Sequence, residues 1–237
     1  MSRFSIIVGI GLVSLCSVIG GSASAQVITA FDLASPINGN QQYGATIGVD
    51  FSVNSPIIVT ALGAFDAAVP NTSVAHTLNG TIVTTIYNSV TQQPVPGLSA
   101  TFTALSAGTL LGGHLFKPTG NITLPIGNYV VAFTSITNND QNGNSYNPGF
   151  IPDTYNEAGN LISINKFNFR YNQPSSAGFN LFPTTVTPGQ FNAGSFQFTT
   201  AATPEPGTLS LLAGLAVMGG STLARRRRKV RVARLSR

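Results

Sequence analysis

Along most of its length the chain alternates short runs rich in Val, Ile, Thr, Phe and Tyr with punctuation by Gly, Pro, Asn and Ser. β-Branched and aromatic side chains fit a pleated, half-buried surface, and the punctuating residues fit turns. The pattern predicts strands over Thr46 to Val53, Ile57 to Phe65, Thr81 to Tyr87, Thr101 to Leu105 and Leu115 to Lys117. Four more are predicted over Asn121 to Leu124, Tyr129 to Ile136, Leu161 to Tyr171 and Ser195 to Thr200. Two runs alternate with period two: Phe167, Phe169 and Tyr171 against Lys166, Asn168 and Arg170, and Phe196 and Phe198 against Ser195, Gln197 and Thr199. Each should bury one face and wet the other. Val59 to Phe65 and Tyr129 to Ile136 are apolar on both faces and read as central strands. Short strands in series with no helix between them predict an all-β fold, an antiparallel, jelly-roll-like β-sandwich over 26–202.

Both ends break this pattern. Residues 1–25 have a basic start at Arg3, an apolar stretch from Ile6 to Ile19, and the small-x-small site Ala23-Ser24-Ala25. That is a signal peptide, cleaved ahead of Gln26 and implying passage through the Sec translocon. Cys16 invites a lipoprotein reading, but Leu15 before it is not small, and a Cys inside a discarded apolar region is favoured. At the other end, Pro204-Glu205-Pro206 precedes the uncharged stretch 208–224, and Arg225-Arg226-Arg227-Arg228-Lys229 follows. The prolines fix φ and remove amide donors, so this segment stays extended. As a helix, 208–224 would span about 25 Å, a little less than a hydrocarbon core of roughly 30 Å. It is read as a single transmembrane helix. The basic cluster would stop translocation there and leave 230–237 as a basic cytoplasmic tail.

Separating the ends changes the meaning of the charge. The formal net charge is +5, which by itself would invite a nucleic-acid partner. Yet eight of the twelve Lys and Arg lie from Arg225 onward, and Arg3 leaves with the signal. Between Gln26 and Thr200, Lys117, Lys166 and Arg170 face Asp32, Asp50, Asp66, Asp140, Asp153 and Glu157, a net −3. A nucleic-acid partner is therefore unsupported. The same region has no Cys and so no disulfide, although an exported compartment would permit one.

The sequence offers little for catalysis, which needs a nucleophile with a base, a carboxylate pair, or a metal cluster at ligand spacing. The only histidines are His76 and His114, neither beside an acid in sequence; His114, after Gly112-Gly113, belongs in a turn or at a strand start. Asp153 and Glu157 share a loop and read as solvated acids. No catalytic residue, metal site or cofactor is assigned, and the chain reads as a non-enzyme. Two loops hold interest. In 138–144, Asp140, Asn142 and Asn144 alternate as in calcium loops, but Gly143 is out of step with an EF-hand and no Glu follows at the right distance. An ordinary Asn-Gly turn is the favoured reading. Ser145 to Tyr155, with Tyr146, Phe150 and Tyr155, together with Tyr171 to Pro183, combines aromatic rings with amides. Such a set suits stacking on sugar rings or packing over a sandwich end, the latter favoured. The acceptor triplets at Asn71, Asn79 and Asn121 read as chance in an Asn- and Thr-rich chain.

In its order of triplet, short apolar span and Arg run, the tail resembles the PEP-CTERM sorting signal of exported bacterial proteins. The resemblance implies an exosortase, an integral-membrane protease or transpeptidase, as partner, cleaving near Glu205. It also implies an inner-membrane-anchored precursor whose released domain reaches the cell surface or the extracellular space. More loosely, Gly48 to Asn54 with Ile57 to Asp66, Leu124 to Val131 and Gly189 to Phe198 resemble uncharacterised exported bacterial β-sandwich domains with a carbohydrate-binding look. That likeness supplies no functional residues, and the chain departs from it at a longer loop, Asn88 to Gly97, with Pro94-Val95-Pro96. Two function classes stand: an exosortase-sorted surface or matrix protein associated with the envelope or exopolysaccharide, or a carbohydrate- or calcium-binding lectin-like module.

Overall fold

The computed structural model describes residues 25–33, 39–66, 78–136, 140–150, 152–172 and 181–201. Most of the signal segment, His76, Asn138 and Asn139 lie outside the described residues. So does the tail from residue 202, with Pro204-Glu205-Pro206, the 208–224 span and Arg225 to Lys229. Ala25 and Gln26 are described and exposed.

The described residues form strands and no helix. In chain order the early ones are β1 (Ile28–Thr29), β2 (Phe31–Asp32), β3 (Gln41–Gln42), β4 (Thr46–Val53), β5 (Ile57–Phe65) and β6 (Ile82–Asn88). Then come β7 (Pro94–Phe102), β8 (Thr109–Leu111), β9 (His114–Leu124), β10 (Gly127–Ser135), β11 (Gln141–Asn144) and β12 (Thr154–Tyr155). Last are β13 (Ile162–Ile164), β14 (Asn168–Tyr171), β15 (Thr185–Pro188), β16 (Phe191–Asn192) and β17 (Gly194–Thr200). One sheet has the order β1-β17-β5-β9-β8, and the other β15-β14-β4-β10-β6-β7 with β13 also on β4. Small sheets β16-β11-β3 and β12-β2 flank them. The pairings are antiparallel. The architecture is the all-β sandwich that the alternating runs predict.

Period two puts Val49, Phe51 and Val53 of β4 inward, while Asp50 and Ser52 face out. From the facing sheet come Phe196 and Phe198 of β17 with Ile57, Val59 and Leu62 of β5. Phe51 and Phe196 meet at 4.7 Å between ring centroids, and Phe51 stacks on Tyr129 at 5.6 Å. Strands β5 and β10 are central and buried on both faces, as their composition predicts. The outward Val130 and Ala132 of β10 are covered, with Tyr87, by Phe182. Gly48 admits this cover, since a Cβ there would stand 2.7 Å from Val130 Cγ1 and 3.1 Å from Pro183 Cγ.

Several boundaries differ from the sequence expectation, each for a local reason. Pro94-Val95-Pro96 is the start of β7, not a long loop; β7 lies at the sheet edge, where a missing N–H is tolerated. The connection is a tight turn at Ser89 to Gln93, in which Asn88 Oδ1 accepts from Val90 N and Thr91 N. Strand β7 ends at Phe102, and Leu105 beyond it is fully exposed. The separate strands at 115–117 and 121–124 are one strand, β9, whose pairing with β5 shifts register between Val59 and Ala61. The predicted strand at 161–171 is two strands, because Asn165 Oδ1 accepts from Phe167 N and Asn168 N and turns the chain. Phe167 is thereby left 78% exposed while Phe169 is buried, so the alternation holds only from Asn168 onward. Ser195, expected to be wet, is buried with its hydroxyl donated to Phe31 O at 2.8 Å.

Candidate functional site

The residues 140–144, expected to turn at Asn-Gly, instead enter β11, which is gripped on both sides. Asn142 pairs with Gln41 of β3, and Gly143 and Asn144 pair with Asn192 and Phe191 of β16. This small sheet lies beside the end of the larger sheet where β15 pairs with β14 and β14 with β4. Tyr171 pairs with Ile47 there, and Phe169 with Thr187. Between the two is an open cleft of about 250 Å³. Its base is apolar, with Ile47, Phe169 and Phe191 buried and Tyr43 and Tyr171 packed against them. Phe169 and Phe191 lie 4.0 Å apart between ring centroids. Gln41, Asn144, Tyr146 and Thr187 complete the lining, and none of the lining residues is charged.

An amide network holds one wall. Asn144 N donates to Asn40 Oδ1 at 2.7 Å, and Asn40 Nδ2 donates to Asn144 O and Asn147 O. Asn147 Nδ2 donates back to Asn40 O, and Tyr146 N donates to Asn144 Oδ1 at 2.9 Å. Two tyrosine hydroxyls are spent on backbone carbonyls: Tyr43 on Asn172 O at 2.6 Å and Tyr146 on Pro188 O. Their rings are fixed, and Tyr146 still presents 63% of its surface to solvent.

The structure divides the aromatic set that the sequence singles out. Tyr146 and Tyr171 reach the cleft, whereas Tyr155 packs edge-on against Phe31 at 5.6 Å and beneath Lys166. Asn142 and Asn144 are both buried on β11, so the calcium-loop spacing falls on a strand. Asp140 points elsewhere, accepting from Asn79 N at 2.8 Å. Among the described residues no group of three or more His, Cys, Asp or Glu is placed to hold a metal. Gln41, Tyr43, Thr187 and Phe191 carry no sequence mark of a site; they meet Asn144 only through pairings of distant segments.

Asp153 corrects its expected role. It is buried, and burial followed by the nearby Asp32 carboxylate pushes its pKa well above the usual carboxylate range. Burial also raises the Asp32 carboxyl, whose oxygen fills the space over Gly112; a Cβ there would clash at 1.6 Å, and φ is +55°. Glu157 does not join Asp153. It accepts from Ile164 N at 3.0 Å, which with the Lys166 ammonium at 3.2 Å holds its pKa down against slight burial. His114 opens β9, as expected of its position, and is fully buried; burial lowers its pKa to about 4 despite the bond between Nδ1 and Gly112 O. A second, polar furrow on the outer face is internally paired. Arg170 Nε meets both Asp50 oxygens at 2.8 Å, and Ser52 Oγ donates to Asn128 Oδ1 at 2.7 Å.

Fold and cleft together define an all-β module with an uncharged aromatic recess. What assigns the chain to a cellular route lies beyond that module. Residues 202–229 match the PEP-CTERM protein-sorting motif. The chain thus carries the tag of exosortase-dependent sorting and is an exported protein sorted through the membrane. No curated protein matches it. No helix of the described residues is long and apolar enough to cross a membrane, and the predicted span at 208–224 lies outside them.

Proposed function

We propose that the chain is a non-catalytic surface or extracellular-matrix protein. Its β-sandwich is exported through the Sec translocon, halted in the inner membrane by 208–224 and Arg225 to Lys229, and cut near Glu205 by an exosortase. The released module then associates with the envelope or exopolysaccharide. The observation that carries this reading is the sorting-motif match at 202–229 behind an all-β module. A span of about 25 Å rich in Gly and Ala suits a temporary anchor better than a permanent one. Pro204 and Pro206 fix φ and remove amide donors, which suits a segment whose backbone a protease must bind in extended form. Replacing Pro204, Glu205 and Pro206 together by Ala should leave full-length precursor in the inner-membrane fraction of an exosortase-bearing host, as read by immunoblot. Normal release of the triple variant would contradict the reading.

The lectin-like alternative has one observation in its favour, the aromatic cleft, and that favours its carbohydrate half. The calcium half loses support with Asp140 turned to Asn79 and Asn142 on a strand.

A further inference from the structure

The small sheet beside the cleft carries hydrogen-bonding capacity that the fold leaves unused. Asn142 is 1% exposed, and neither its Oδ1 nor its Nδ2 has a hydrogen-bond partner among the described residues. Gln41 Oε1 is likewise buried and unbonded. Gln41 lies directly across from Asn142, and Asn144 is two residues further along, so the three amides project from one face of the small sheet. That face is the one that meets the aromatic base, since Gln41 and Asn144 both line the cleft. Buried amide groups are rarely left unbonded, and those of Asn142 and Gln41 beside an open recess call for a polar occupant, whereas Asn144 Oδ1 already accepts from Tyr146 N.

The surroundings restrict what the occupant is. An amide offers both donors and acceptors, which matches a group with both, such as a hydroxyl. Tyr43 and Tyr146 have committed their hydroxyls to backbone, so what they offer a ligand is the ring. The lining holds no charge to compensate an ion stripped of water. The occupant is therefore uncharged, rich in hydroxyls, and apolar on a face. We propose that this cleft binds a neutral sugar residue of an extracellular polysaccharide. Its C–H face lies against the Tyr146 ring and its hydroxyls meet the Gln41, Asn142 and Asn144 amides. The fixed rings and the Asn40 network mean little ordering remains to be done on binding. This rests on the matrix-association reading above and gives it a site.

The test uses the full-length chain in a sugar-free zwitterionic detergent. It is titrated calorimetrically with neutral hexasaccharides of glucose, galactose and mannose, and with hexagalacturonate as the acidic control. At least one neutral hexasaccharide should bind saturably and hexagalacturonate should not. Tyr146→Ala should weaken binding about tenfold or more, a loss well within one stacked ring. Asn142→Leu, which removes the unbonded amide at similar volume, should weaken binding without lowering the melting temperature. Should Asn142→Leu fail to fold, the exposed Tyr146 decides the matter alone. Binding of none of the neutral sugars, equal binding of hexagalacturonate, or unchanged binding by Tyr146→Ala would overturn the proposal. Co-sedimentation with the host's extracellular polysaccharide separates the two readings. If the wild type and Tyr146→Ala sediment alike, matrix association stands without the cleft. If the wild type binds hexasaccharide but stays out of the matrix, the cleft stands without the matrix.

Discussion

Among single residues, His114 and Asp153 work against each other as pH changes. His114 is buried with a pKa of about 4, below its ordinary value near 6.5. The unfolded chain therefore takes up its proton first, and the stability that depends on a neutral ring is lost as pH falls from about 6.5 toward 4. Asp153 is shifted the opposite way by burial and by Asp32, with the Tyr155 ring beside it. The folded state holds that proton more tightly than the unfolded one. Its contribution is present at low pH and is lost as pH rises through the raised value. Each group has a limiting slope of about 1.4 kcal/mol per pH unit, of opposite sign, so in the wild type the two offset where their ranges overlap. Asp153→Asn should raise the urea midpoint at neutral pH and expose a steady loss between pH about 6.5 and 4. His114→Gln should leave a midpoint that rises as pH falls through the raised Asp153 range. Midpoint-versus-pH curves for both variants running parallel to the wild type would contradict this account.

At the level of strands, burial separates aromatic residues that look equivalent in the sequence. Phe196 of β17 sits between the sheets against Phe31, Phe51 and Phe198, whereas Phe167 stands in solvent at the turn between β13 and β14. Phe196→Ala should cost about 3–5 kcal/mol and Phe167→Ala less than about 0.5 kcal/mol, as measured by denaturant unfolding. Equal costs would mean the two strands were placed wrongly. Strands β4, β5, β10 and β17 were legible because their composition and alternation are local. The boundary at Phe167 was not, because it depends on Asn165 turning its side chain onto two amides. Edge placement hid β7: prolines argue against a strand until it is known that one side of it pairs with no strand among the described residues. Strand β11 was hidden by its own Asn-Gly, which signals a turn in isolation but here pairs with segments about fifty and a hundred residues away. The cleft shares that fate. Tyr146 and Tyr171 stood out as aromatic residues among amides, but Gln41 and Phe191 reach them only through long-range register.

For the whole molecule, the sequence was most legible where the structure describes least. The tail motif is contiguous, so its order of prolines, apolar span and basic cluster could be read directly, and residues 202–229 match it. The module ahead of it owes its shape to pairing between distant strands and its cleft to the junction of two sheets. The central claim joins these parts: a folded β-sandwich travels on while its hydrophobic tail is left in the membrane. Trypsin gives a direct test, because no Lys or Arg lies between Arg170 and Arg225. Mass spectrometry of surface and extracellular material from an exosortase-bearing host should find a peptide that begins at Tyr171 and ends near Glu205. Recovery there of the intact peptide running from Tyr171 to Arg225 would contradict the account.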